Sequence, residues 1–278
     1  MIERELFSYS KLTTFKTCPY AYYLTYIKDA ERKDNVYSFM GSTIHGLLEE
    51  LQQENITKED AQKKFLDALD STEILDYKFP TPNSKKNFKE CNLLYFSNYN
   101  KIDADEFKIE EYFEVKVSHV MMRGYIDLYT INGKYIDIYD YKSSSKFSKK
   151  ELEEKKIQLI IYGLALQEKY PELEVRNLYF DMCKYTKNER GTLKERNTVE
   201  NQDKKGLVKV KFNEENIQKA KDFVKEIYES IKEKDPRIEK DWKPNVNIFF
   251  CENLCSNLDI CPTAREKIGA KKHYGRTR

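Results

Sequence analysis

Hydrophobic and polar positions change period near residue 109, and that change organises the chain. Before it, Leu12, Phe15, Tyr22, Tyr23 and Tyr26 share much of one helical face, predicting a helix over 10–26 with Ser10 as its N-cap. A second helix is predicted over 38–53, carrying Gly41, His45, Leu47, Leu48 and Leu51. Helices over 57–69 and 84–100 follow, separated by the breaker Phe79-Pro80-Thr81-Pro82. From Ile109 onward strand-like runs replace helical ones. Strands are predicted over 110–117, 121–131 and 134–141, the last two flanking an Asn132-Gly133 hairpin turn. A helix over 150–169 ends before Pro171, and strands over 175–184 and 207–212 come next. The final predicted helix, 214–233, has Ile217, Ala220, Phe223, Val224, Ile227 and Ile231 at helical spacing.

This order predicts an α/β fold: a mixed central sheet flanked by helices, with a helical region in front of it. Three regions are expected: helical residues 1–108, a core over 109–234, and a cysteine-rich tail over 235–278 packing back on the N-terminus. The stretch 185–206 is too charged to be core and reads as a mobile loop. No internal repeat is visible. Neither a G-x-G-x-x-G after a strand nor a Walker A sequence occurs, which excludes a dinucleotide site and an ATP motor of those kinds.

Composition narrows the picture further. Of 278 residues 40% are hydrophobic, enough for a core, and 35% are charged, yet the formal net charge is only +2. That argues against a histone-like binder, but leaves room for a locally basic groove that also holds carboxylates for metal. The segment from Met1 to Leu6 carries three charges and no apolar run follows, so no secretory leader is expected. No apolar run approaches membrane-spanning length. A soluble, cytoplasmic protein is predicted, in which clustered thiols serve metal binding more readily than disulfides.

The chemistry concentrates in the predicted hairpin. Asp127 lies in one strand, Asp140 ends the next, and Lys142 follows two residues later on the same face. Two carboxylates brought together repel unless a cation such as Mg²⁺ lies between them. A nearby ammonium can then position water and offset charge developing on phosphorus. A surface ion pair at a strand end would also account for Asp140 and Lys142. Against it, the run from Tyr135 to Tyr139 is apolar except for Asp137, so the charges arise where a buried strand reaches an open edge. Asp137 falls on the opposite face from Asp140. Glu110 and Glu111 precede the Asp127 strand and are within plausible reach of a metal, but neither is counted among the ligands. His119, in a predicted turn, is a weaker candidate than His45. Gln158 and Tyr162 stand at i and i+4, on one face of the helix after Lys142.

Cys251, Cys255 and Cys261 lie within eleven residues, a density that suits a metal site needing a fourth ligand, for which Cys18 is the best donor. Cys91 and Cys183 read as buried packing thiols.

The Gly124-x-x-Asp127 element, the hairpin and Asp140-Tyr141-Lys142 together resemble the core of the RecB-family PD-(D/E)XK nucleases, with Ile126 where the family name has proline. The resemblance implies that Asp127 and Asp140 bind metal and that Lys142 is catalytic. Gly41 to His45 is similar to the family's Gly-x-x-x-His helix, making His45 a metal ligand, with the Tyr141 carbonyl as a further one. Gln158 and Tyr162 resemble its Gln-x-x-x-Tyr motif, a pair that supports the active site or contacts the DNA strand. Cys18 with the three C-terminal cysteines resembles the [4Fe–4S] staple of AddB and the CRISPR-associated exonucleases. Here, however, three residues separate Cys251 from Cys255 where two are usual, and structural Zn²⁺ remains the physical alternative. The function implied is a Mg²⁺- or Mn²⁺-dependent DNA nuclease, an exonuclease or end-processing enzyme preferring single strands, with a helicase- or integrase-type protein partner. Basic side chains of the tail and of 185–206 would hold the DNA backbone. The alternative is a non-catalytic, nuclease-like DNA-binding subunit of a larger repair, recombination or CRISPR machine.

Overall fold

The computed structural model describes residues 5–187, 193–194 and 206–274, with the side chains of 193–194 and 269–274 excepted. Its centre is a five-stranded mixed sheet in the order β1-β2-β3-β4-β7, formed by β1 (Glu106–Val117), β2 (Val120–Asn132), β3 (Tyr135–Lys142), β4 (Glu174–Met182) and β7 (Leu207–Val210). All neighbours are antiparallel except β3 and β4, which run parallel because helix α6 (Lys149–Lys169) carries the chain back between them. Two short strands, β5 (Thr186–Lys187) and β6 (Leu193–Lys194), pair within the predicted loop, most of which lies outside the described residues. No helix among the described residues is long and apolar enough to cross a membrane.

Each face of the sheet has its own core. On one face, α1 (Tyr9–Thr17), α2 (Pro19–Tyr22), α6 and α7 (Glu214–Lys232) bury Leu12, Tyr22, Leu159, Ile160 and Val224 against Ile126, Ile138 and Phe180. On the other, α3 (Val36–Gln52), α4 (Lys58–Ile74) and α5 (Pro82–Ser97) bury Ile44, Leu48, Phe65 and Phe96 with Leu128, Tyr139 and Tyr141. The three helices α3, α4 and α5 each begin in a capping box, set by Asn35, Thr57 and Thr81.

Three local expectations are corrected. The helix predicted over 10–26 is broken: Cys18 is extended at φ −155°, ψ 104°, as a residue preceding proline favours, and Pro19 starts a new helix that runs into a π turn at Tyr23–Ile27. Its N-cap is Ser8 rather than Ser10; the Ser8 Oγ accepts from the Lys11 amide. The hairpin loop is Gly133-Lys134, one residue later than expected, since Asn132 pairs with Tyr135 and Gly133 takes φ +56°.

One irregularity shapes everything that follows. Phe107 and Ile109 of β1 pack toward α3–α5, whereas Phe113, Val115 and Val117 pack toward α6 and α7, although all five are odd-numbered. The inward face therefore switches between Ile109 and Phe113. The switch centres on Glu110, held at φ +48°, and the ladder passes from the Ile109–Leu128 pair to Glu111–Ile126 without joining Glu110 to Asp127.

The tail returns to the N-terminus. Trp242 is fully buried, its ring stacked on Tyr22 with centroids 5.6 Å apart and planes 8° apart. The Asn245 amide donates to Cys18 Sγ at 3.3 Å, and Asn257 donates to Thr25 Oγ1 at 2.7 Å. Two short helical segments follow, α8 (Ile248–Asn253) and α9 (Pro262–Tyr274).

Candidate metal centre and its surroundings

The Glu110 irregularity opens the sheet at the point where β2 and β3 carry their acids. Ligand atoms of His45, Glu110 and Asp127 lie within 4.8 Å of one another, the one such group of three among the described residues. His45 arrives from the middle of α3, with Nδ1 3.4 Å from Asp127 Oδ2. Gly41, one turn earlier, faces Ser143; a Cβ there would make only ordinary contact at 3.8 Å. Asp127 is fixed by the Tyr141 amide, which donates to its Oδ2 at 2.8 Å. A strained, left-handed backbone at a non-glycine residue persists only where surrounding structure holds it, and such residues gather at functional sites. Glu110 fits that pattern.

Asp140 sits beside this group on β3, 1% exposed. One carboxylate oxygen meets the Lys142 ammonium, and the other, Oδ1, has no hydrogen-bond donor. Lys142 also donates to Gln158 Oε1 at 3.2 Å, and Gln158 Nε2 donates to Tyr162 Oη at 2.7 Å. The four side chains thus form one line from the acid pair to helix α6. Tyr162 in turn meets the Phe113 ring edge-on, centroids 5.5 Å apart. Phe113 lies across Gly124, where an added Cβ would fall 3.0 Å from the ring. A larger residue at the glycine of Gly-x-x-Asp would have to push that ring aside by a few tenths of an ångström.

The electrostatics describe a site short of positive charge. Burial raises the Asp127 carboxyl well above the carboxylate range, and the Asp140 charge raises it further. Burial also raises Glu110, with Asp140 adding to it, and lifts Glu49, one turn beyond His45, to about 7, with Glu110 as the next cause. His45 is lowered, chiefly by burial, which keeps its imidazole neutral and fit to coordinate. An unpaired buried oxygen, crowded carboxyls and a neutral imidazole are the donors a divalent cation takes up.

The other candidates fall elsewhere. Asp137 faces away, accepting from Asn177 at 2.7 Å and from Arg176. Glu111 pairs with Lys169. His119 lies over Tyr228 of α7, ring centroids 5.3 Å apart. Cys91 and Cys183 are buried and unbridged. Two residues near the centre had no place in the predicted ligand set. Glu110 is one, since left-handed backbone at a glutamate has no sequence signature. Lys155 is the other: three residues before Gln158, it is lowered chiefly by burial and next by the Lys142 charge. Its helical spacing from Gln158 was the available signal.

Cys18, Cys251, Cys255 and Cys261 line one small, largely apolar cavity with Leu24 and Phe250. All four are free thiols, and burial pushes Cys255 up to about 11.

A solved structure described as "Crystal structure of SSO0001" aligns over 78% of this chain and 94% of its own, at 15% identity and a TM-score of 0.27, too loose a superposition to place any residue. No curated protein matches. The family model for the PD-(D/E)XK nuclease superfamily matches residues 6–262, from the strand bridge before α1 to the proline after the last cysteine, and the chain belongs to that superfamily.

Proposed function

We propose that this protein is a Mg²⁺- or Mn²⁺-dependent deoxyribonuclease that hydrolyses phosphodiester bonds at DNA ends, preferring single strands. Superfamily membership supports a nuclease that uses a divalent metal. The observation that carries the reading is the His45–Glu110–Asp127 group beside the Asp140–Lys142 pair. His45, Glu110 and Asp127 would hold the metal, with Asp140 and the Tyr141 carbonyl completing its surroundings. Bound there, a divalent cation would polarise a phosphoryl oxygen and lower the pKa of water. Lys142, steadied by Asp140 and Gln158, would position the attacking water and offset negative charge on the phosphoryl group. Tyr162 would keep Gln158 oriented. DNA would be held by basic side chains, with the salt sensitivity that phosphate contacts bring, and a helicase- or integrase-type partner would deliver it.

We further propose that Cys18, Cys251, Cys255 and Cys261 hold a [4Fe–4S] cluster. What supports this is that four thiols from opposite ends of the chain line one cavity, the four-cysteine set such a cluster takes; structural Zn²⁺ is the alternative the same set suits.

The test is a cleavage assay on end-labelled single- and double-stranded DNA with Mg²⁺, Mn²⁺, Ca²⁺ or EDTA. Cutting in Mg²⁺ or Mn²⁺, with binding but no cutting in EDTA, is expected. Binding without cutting in either activating metal, by intact cluster-loaded protein, would instead identify a non-catalytic DNA-binding subunit.

A further inference from the structure

Next to the metal centre lies an open cleft of about 440 Å³ that the reading above does not use. Gln158 and Tyr162 form its inner wall, and Ser8, Arg123, Tyr112 and Tyr125 line its outer part. Tyr112 and Tyr125 are opposite each other in the β1–β2 ladder, two residues along each strand from Glu110 and Asp127. Their rings are 5.3 Å apart and tilted by 59°, so they do not stack face to face. Tyr125 is 55% exposed and Tyr112 44%. Large aromatics on a sheet normally bury their area, so two such rings open to water call for an occupant.

Charge indicates what that occupant is. Arg123, two residues before Tyr125 and opposite Glu114 in the ladder, is exposed, and its guanidinium lies beside the Tyr112 hydroxyl. Glu114 accepts from Tyr112 Oη at 2.7 Å, which secures that ring, and of the two opposed charges it is Arg123 that lines the cleft. An exposed aromatic ring face beside a guanidinium, next to the proposed metal centre, matches a base and its phosphate.

We infer that Tyr112 and Tyr125 form a stacking platform for one unpaired nucleobase of the substrate strand, with Arg123 on the adjoining phosphate. This rests on the nuclease reading and deepens it, because a base stacked here cannot be paired. The platform makes the protein select single strands and frayed ends by taking up a base that a duplex keeps inside its stack. Stacking on aromatic side chains tolerates any base, so no sequence preference arises from it.

The experiment uses the full-length protein in EDTA and single-stranded oligonucleotides with one 2-aminopurine moved along the strand. Fluorescence should be quenched at one position from the bound end. Tyr125→Ala and Tyr112→Ala should each remove that quenching and weaken single-strand binding about 5- to 150-fold. Tyr125→Phe should retain both. Arg123→Ala should lower the slope of log affinity against log salt by about one. The inference is overturned if a folded Tyr112→Ala/Tyr125→Ala double variant binds and quenches like the parent, or if blunt duplex binds as well as single strand. Because the readout needs no cleavage, the two readings separate. A protein that cuts DNA but is indifferent to both tyrosines loses only the platform. One that shows tyrosine-dependent quenching yet never cuts loses only the nuclease assignment.

Discussion

The Tyr141 amide donates to Asp127 Oδ2 at 2.8 Å, so the peptide that follows Asp140 grips the carboxylate of the neighbouring strand. The two acids are thereby set by one backbone unit rather than by two independent rotamers. Substitution at either position should affect chemistry far more than folding. Asp140→Asn and Lys142→Ala should each lower cleavage roughly 10²–10⁴-fold, the range of a positioned catalytic group, with far-ultraviolet circular dichroism unchanged. Wild-type turnover by a folded Asp140→Asn protein would sink the mechanism. Asp137→Ala should behave in the opposite way, losing about 1 kcal/mol because Arg176 and Asn177 lose their acceptor, while cleavage per folded molecule is retained.

In the proposed metal site Glu110 would link backbone strain to metal binding. Glu110→Ala should lose metal affinity and keep the left-handed backbone, whereas Glu110→Gly should lose the same affinity and melt higher than the alanine variant. Glycine tolerates φ +48°, and relief of about 1 kcal/mol is the expected order. Calorimetric Mn²⁺ titration and thermal melts on both variants check this; equal melting temperatures would remove strain from the account.

Without metal, stability should fall as pH rises through the mildly acidic range. Glu49 ionises near 4.5 when unfolded but only near 7 in the fold, where burial and Glu110 favour its proton. Its stabilising contribution is complete below pH 4.5 and lost as pH rises through 7. Melts in EDTA at pH 5, 6 and 7 should show this decline, and Glu49→Gln should flatten it. A Glu49→Gln protein with the parent's slope would contradict the assignment.

Anaerobically purified protein should be brown, absorb broadly near 400 nm and contain about four irons per chain. Cys18→Ser should lower both iron content and melting temperature; Cys91→Ser, buried on α5 and outside the four-cysteine cavity, should leave iron content unchanged. Zinc without iron under these conditions would reject the cluster.

Much of the fold was legible because strand alternation, helix periodicity and capping residues agree with the tertiary structure. The Asp127, Asp140 and Lys142 neighbourhood followed from a hairpin whose register a short turn constrains, although its loop begins at Gly133 rather than Asn132. The sequence places Glu110 within reach of a metal but outside the ligand set, and its meeting with His45 and Asp127 was not legible. Parity arguments assume an unbroken pleat, and the face switch at φ +48° breaks it where the acids meet. The interruption at Cys18 could have been read from Pro19, since a residue before proline avoids helical backbone. The apolar spacing of Leu12 to Tyr26 continues across it, because both short helices pack on the same core.

Trp242 is the chain's one tryptophan, and its ring lies against Tyr22 and Tyr23. Indole emission therefore comes from a single place, the junction where the two ends of the chain meet. Tyrosines throughout the molecule can pass excitation to it, but only that junction sets its wavelength. The protein carries its own optical gauge: a red shift would signal parting of the chain ends even while the sheet and its acidic centre stay intact.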